Sequence, residues 1–255
     1  MTGFATLVRK ELLEAWRTLR LPVVAGVLLL AGFMSPLLAR FTPEIIQAVA
    51  GDQLPAGLAI PTPTVADSVT QVLKNVGQFG ALTAILLAMG AVAGEVERGT
   101  AAFLLVKPAT RLAFLAAKLV AVGATLGAAV ILAVAGAAVY TAVLFEPLEA
   151  VGWVGLGGTL WLSLLAYAAI TFLGSTVARS PAGGAAIGVG GLMVLAVASA
   201  IPTVAPFLPG GLAELGGALA LGKPAPDLPG SVAVSAGIVA GSAALAAWSF
   251  RRREL

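Results

Sequence analysis

Six stretches of this chain are almost wholly apolar and about 20 residues long, which is enough to cross a bilayer core as a helix. They fall at roughly 21–39, 76–94, 116–145, 153–177, 183–204 and 230–250. In hydrocarbon each backbone polar group must find its partner within its own segment, so such stretches become helices. The fold class that follows is all-α: a polytopic membrane protein, one transmembrane domain of six spans over residues 1–255. A water-soluble fold is disfavoured by composition. The chain is 59% hydrophobic and only 11% charged, whereas soluble domains carry about a quarter charged residues to cover their exterior. The third stretch exceeds the need and should tilt or project a turn into water. The first does not read as a cleaved leader, because its long flank carries Glu11 and Glu14 and no small-x-small site follows.

Orientation follows from lysine and arginine. With the N-terminus inside, the inner segments hold Arg9, Lys10, Arg17, Arg20, Arg98, Lys107, Arg111, Lys118, Arg179, Arg251, Arg252 and Arg253. The outer segments hold Arg40, Lys74 and Lys223. Six crossings return the chain to its starting side, so both termini are expected in the cytoplasm of a cell, inner membrane. The basic balance is thereby assigned to topology and anionic lipid rather than to nucleic acid.

Four connecting segments carry information. Residues 1–20 form an amphipathic interfacial helix, with Phe4, Leu7, Val8, Leu12, Trp16 and Leu19 on one face and Arg9, Lys10, Glu14 and Arg17 on the other. Residues 41–75 are rich in Pro and Gly, and Thr62–Pro63 has the form of an N-cap and first helical position. Asp67, Gln71, Lys74 and Gln78 then recur at helical spacing, either lining an outer vestibule or marking a helix end that protrudes into water. Residues 205–229, with five prolines, suggest a short outer helix on which Leu212, Leu215 and Leu219 share a face.

The inner loop 95–115 is the fourth. Arg98, Gly99 and Thr100 give a break and an N-cap, Phe103 to Val106 an apolar centre, and Pro108 a stop. A short cytoplasmic helix with an apolar face needs headgroups or a partner to cover it.

Much chemistry is missing. The chain has no His and no Cys, so it lacks the ligands and nucleophiles of most metal or covalent catalysis. No metal, cofactor or catalytic residue is assigned. The six apolar cores are expected to be free of ionisable groups, which argues against proton coupling. Gly217 to Lys223 has the spacing of a P-loop start, but Pro224 follows where Ser or Thr is required, so no nucleotide site is assigned. Ser163, Tyr167, Thr171 and Ser235 place hydroxyls within spans four and six. They would line a translocation path, or bond carbonyls of their own helix. Gly-x-x-x-Gly pairs at Gly90/Gly94, Gly123/Gly127, Gly184/Gly188 and Gly237/Gly241 are about what chance gives in so glycine-rich a chain and say only that helices approach closely.

Glu95-x-Glu97-Arg98-Gly99-Thr100, followed by Phe103-Leu104-Leu105, Pro108, Arg111 and Lys118, resembles the inner loop of ABC-2 type permeases of ABC transporters. It is most similar to the bacitracin-export and nitrous-oxide-reductase-maturation branch. Leu7-Val8-Arg9-Lys10-Glu11-Leu12 with Trp16 is similar to that family's N-terminal helix. The resemblance implies a non-catalytic permease subunit of a prokaryotic ATP-driven exporter. A second permease copy, in a homodimer or heterodimer, and a separate cytoplasmic ATPase carrying ATP and Mg would be its partners. Glu95, Glu97, Arg98, Gly99, Thr100, Phe103, Leu104, Pro108 and Arg111 would then form the region coupled to that ATPase. An apolar, hydroxyl-lined interior points to a hydrophobic or amphipathic cargo. The competing readings are an ion-coupled or passive transporter and a membrane scaffold.

Overall fold

The computed structural model describes residues 2–50, 61–97, 99, 110–145, 149–178 and 180–252. Among them the elements are α1 (Thr2–Arg17), α2 (Arg20–Ala50), α3 (Val65–Met89), α4 (Ala93–Glu97) and α5 (Arg111–Leu144). There follow α6 (Ala150–Val177), α7 (Pro181–Ala198), a 3-10 turn (Ala205–Phe207), α8 (Pro209–Ala220) and α9 (Leu228–Arg251). No strand occurs among the described residues. Six helices, α2, α3, α5, α6, α7 and α9, have the length and hydropathy of membrane spans, and they coincide with the six apolar stretches.

Local signals set most boundaries. Thr110 caps α5, its Oγ1 accepting from Ala113 N at 3.1 Å. Ser180 caps α7 by accepting from Gly183 N, and Pro181 opens the helix where no N–H is needed. Two expectations shift. Helix α3 starts at Val65, not Pro63, because Asp67 supplies the decisive contact: its carboxylate accepts from Thr64 N at 2.8 Å and Thr64 Oγ1 at 2.7 Å. Helix α2 does not stop near residue 39 but continues through Pro36 and Pro43 to Ala50. Proline inside a helix removes a backbone bond, yet α2 is packed along both α5 and α3, and that packing outweighs the local penalty.

Lipid is as apolar as leucine, so packing between spans depends on close fit rather than on the hydrophobic effect. Helix α2 meets α5 where Gly32 lies against the backbone of Ala133. Helix α6 occupies the middle, touching α3, α7, α8 and α9. A Cβ added at Gly184 of α7 would lie 2.6 Å from Met89 O and 3.2 Å from Ser175 Cα, so the Gly184/Gly188 pair sits at a tight crossing. Gly237 and Gly241 of α9 have nothing within 4 Å and mark no crossing among the described residues.

The fifth crossing is broken. Helix α7 packs on the half of α6 nearer Ser175, with Gly188 against Thr171 and Gly191 against Ile170. Around Ile201–Leu208 the chain turns, and α8 then runs along the other half of α6, placing Gly216 against Thr159 and Leu219 against Gly152 and Gly155. Irregular backbone within a bundle is tolerated when its polar groups are covered. Two serines do that here: Ser163 Oγ donates to Pro209 O at 2.5 Å, and Ser231 Oγ to Pro206 O at 2.8 Å. The expected short helix within 205–229 is therefore α8, tucked against α3, α6 and α9, with Leu212 fully buried.

Candidate functional site: buried charges at one end of the bundle

Two charged residues interrupt apolar helix faces. At 100° per residue, Glu11 falls on α1 between Leu7, Phe4, Val8 and Ala15. Lys118 falls on α5 among Leu115, Ala117, Ala121 and Val122. The fold brings these two together and adds Glu95 from α4. Lys118 Nζ donates to Glu95 Oε1 at 2.7 Å and to Glu11 Oε2 at 3.0 Å. The side chains of Lys118 and Glu95 are only 4% and 6% exposed. Lys10 closes the cluster, with Nζ 3.0 Å from Glu11 Oε1, 3.3 Å from Glu14 Oε2 and 3.4 Å from Glu95 Oε1. Glu11, Glu14 and Glu95 offer carboxylate oxygens close enough together to hold a cation, but the ammonium groups of Lys10 and Lys118 already fill that role.

The expectation of apolar cores free of ionisable groups is corrected here. Lys118 lies inside the third apolar stretch and inside the span-length helix α5, and it is buried. A lone ammonium at that place would be very costly. Two carboxylates from other elements make it tenable. On α1, Glu11 and Ala15 turn toward the bundle, whereas Leu13 and Trp16 are exposed.

The surroundings fix the cluster. Ser175 Oγ of α6, fully buried, accepts from Val92 N at 3.1 Å and Ala93 N at 3.0 Å, holding the turn that leads into α4. Lys118 Nζ stands 5.1 Å above the Phe114 ring, and that ring stacks on Phe250 of α9 at 5.9 Å. Arg111 Nη1 donates to Phe250 O and Arg251 O at 3.3 and 3.2 Å. The chain's first helix and its last thus meet the same end of α5.

Burial alone would push the Glu11 carboxyl up, but the Lys118 charge and the hydrogen bonds from Lys10 and Lys118 outweigh it and hold that carboxyl below the ordinary glutamate range. Burial likewise opposes the charge on Lys10, but the hydrogen bond to Glu11 and the charges of Glu95, Glu11 and Glu14 prevail and raise its pKa. A depressed carboxylate contributes stability above its unfolded value, about 4.3, and loses it as pH falls toward the folded one. A raised lysine contributes below its unfolded value, about 10.4, and loses it only as pH climbs through the folded one. Docking of α1 should therefore be flat through neutral pH and weaken in acid. A nitroxide on Ala5→Cys, at an exposed position of α1 in a chain without cysteine, should show constant mobility from about pH 6 to 9 and rising mobility below about pH 4. Unchanged mobility down to pH 3 would contradict it.

The other residues singled out in the sequence have these positions. Glu97 is exposed and, with Arg20 and Pro181, borders an open hollow. Gly99 has φ +70 and its N–H donates to Val96 O, so it turns the chain out of α4 in a conformation that favours glycine. Arg98, Thr100, Phe103, Leu104 and Pro108 lie outside the described residues. Asp67 caps α3, while Lys74 and Gln78 are exposed and Gln71 is half-buried. The carbonyl of Gln71 accepts from Ser35, whose hydroxyl in turn accepts from Asn75. Thr171 bonds Tyr167 O in its own helix, Ser163 bonds the carbonyls of Thr159 and Pro209, and Tyr167 is half-buried. Ser235 is buried on α9 with a hydroxyl that has no hydrogen-bond partner among the described residues. These residues are spread over three helices, α3, α6 and α9. A hollow of about 800 Å³ lies elsewhere, between α5 and α6, and is lined by apolar and small residues including Gly127, Val134, Trp153 and Trp161.

Lys118 and Glu11 as a pair were not found by reading the sequence. The signal was available: each is a charge placed on the apolar face of its helix, and the signs are opposite.

Residues 5–210 match the profile of a family described as ABC-2 family transporter protein. Among curated proteins, an uncharacterized transmembrane protein of Bacillus subtilis (strain 168), YxlG, is 28% identical over 215 residues, covering 82% of this chain and 81% of the relative.

Proposed function

This chain belongs to the ABC-2 family of transporter proteins, and from that premise we propose that it is the permease subunit of an ATP-driven exporter. The ATPase is a separate cytoplasmic subunit, and a second permease copy completes the pathway. The chain is a multi-pass membrane protein; on this reading it sits in the cell membrane of a prokaryote with both termini in the cytoplasm. The observation that supports a coupling role is that α4 and α5, the elements on either side of residues 98–109 in the sequence, are joined by the buried Glu95–Lys118 pair. A partner that acted on either element would act on both. ATP then drives exchange between inward- and outward-facing states without an ion-coupling residue. The apolar hollow between α5 and α6 supports a hydrophobic or amphipathic cargo. The sequence resemblance to the bacitracin-export branch supports the same class.

The test is purification of the tagged chain from its native host at native expression, with mass spectrometry of what accompanies it. The expected result is a roughly stoichiometric soluble subunit with a complete P-loop. A clean preparation without an ATPase would overturn the proposal.

A further inference from the structure

We propose that the hollow between α5 and α6 is a binding site for one acyl chain of an ester-linked membrane lipid, with the lipid's ester carbonyl accepting from Nε1 of Trp153. The proposal goes beyond the permease reading and does not depend on it, because the contact needs no ATPase. Gly123 of α5 meets Trp161 of α6, and Val134 meets Gly157, so the two helices run antiparallel. Along α5 the hollow extends from Gly123 to Ala138, about 22 Å at 1.5 Å per residue. Trp153 and Trp161 both border it, roughly 12 Å apart along α6, and their indoles differ in one respect. Trp161 Nε1 donates to Gly123 O at 2.9 Å, so that N–H is satisfied within the bundle. Trp153 is 3% exposed, and its N–H has no hydrogen-bond partner among the described residues.

A buried donor left unmet is costly. Water does not relieve it, because the apolar lining lacks the two to four polar partners that a buried water needs. The rim decides what enters. Ile131 and Val154 line the hollow and are exposed on helices of span length, so the opening faces hydrocarbon. A transmembrane helix of a second copy is too large. A cylinder about 10 Å across and 22 Å long takes up roughly 1,700 Å³, against about 800 Å³ for the hollow. An acyl chain is narrow, and it is what the surrounding lipid supplies. Hydrocarbon alone would leave Trp153 unmet, whereas the ester at the head of the chain carries a carbonyl acceptor. The chain then lies along the hollow toward Trp161, whose N–H is already engaged. Gly158 keeps the space open, since a Cβ added there would meet nothing within 4 Å.

The test uses the full-length chain in a mild detergent, titrated with a phosphatidylcholine that carries a diazirine on one acyl chain. After illumination, adducts are located by peptide mass spectrometry. Labelling of the residues that line the hollow should saturate with added lipid. Labelling of the exposed face of α7, at Met193 and Val194, should rise without saturating. Gly158→Phe fills the hollow and should cut labelling there about tenfold or more. Trp153→Phe keeps an aromatic ring and removes the donor. It should raise the half-saturating lipid concentration about tenfold, the loss of one hydrogen bond to a group with no other partner. With the ether-linked analogue, which has no ester carbonyl, the parent and Trp153→Phe should half-saturate at the same concentration. Labelling of the hollow that does not saturate, or that Gly158→Phe leaves undiminished, overturns the site in favour of annular lipid only. Equal half-saturation of the parent and Trp153→Phe by the ester lipid overturns it as well, since the indole would then make no contact with the head. So does ready disulfide linkage of two copies through Gly158→Cys in native membranes, which would seat a second copy against the hollow; the parent chain has no cysteine.

Discussion

Replacing Glu95 with alanine should destabilise the folded protein by about 3–5 kcal/mol, the cost typical of removing one partner of a buried ion pair. Lys118 would lose its shortest contact, at 2.7 Å, and remain almost wholly buried. Glu11 at 3.0 Å would be its remaining carboxylate, itself shared with Lys10. The desolvation cost of the ammonium stays while most of its compensation goes. The effect should appear as a lower unfolding midpoint in a mild detergent and as loss of the monodisperse fraction. Removing the charge from both sides, with Glu95→Gln and Lys118→Met together, should recover a large part of the loss, because a buried pair and a well-packed neutral pair are often close in energy. A single Glu95→Ala variant that unfolds like the parent would show that the cluster is solvated and the burial argument wrong.

A second large effect is expected at a crossing that contains no charge. Gly32 of α2 faces the backbone of Ala133 on α5, and a Cβ there would overlap the carbonyl of Ala133. Backbone cannot rotate away as a side-chain tip can. Gly32→Leu should separate the two helices and cost more than about 3 kcal/mol, at or above the upper end of overpacking effects. Gly26, on the same helix, has nothing within 4 Å, so Gly26→Leu should stay within about 1 kcal/mol of the parent. Comparable midpoints for the two leucine variants would refute the tight α2–α5 crossing. The comparison also separates a packing effect from any general dislike of leucine at glycine positions in a membrane helix.

These predictions draw on information of different range. The six spans were legible because hydropathy over about 20 residues is a local property and lipid leaves the backbone no alternative to helix. A helix before the first span and the short helix within 205–229 were legible in the same local way, through spacing and prolines. Boundaries were less so. Asp67 rather than Pro63 fixes the start of α3, and α2 runs through two prolines because neighbours hold it. Either outcome was compatible with the sequence taken locally. The serines show the same limit. Ser163 stands in a span like any hydroxyl, and only the turn at Pro206–Pro209 gives it an acceptor on another element.

By itself, then, the sequence determined the class, the number of crossings, the asymmetry of positive charge and the family resemblance carried by Glu95 to Lys118. Those depend on composition, period and short motifs, which do not require knowing which faces meet. Tertiary structure alone decided that Glu11, Glu95 and Lys118, from three separate elements, share one buried site. It also decided that the fifth crossing is broken and covered by two serines. Pairing of faces is a non-local choice, governed in lipid by where small residues allow backbones to approach and where a buried charge can find its opposite. A charge on an apolar face announces that it needs a partner; the fold supplies which one.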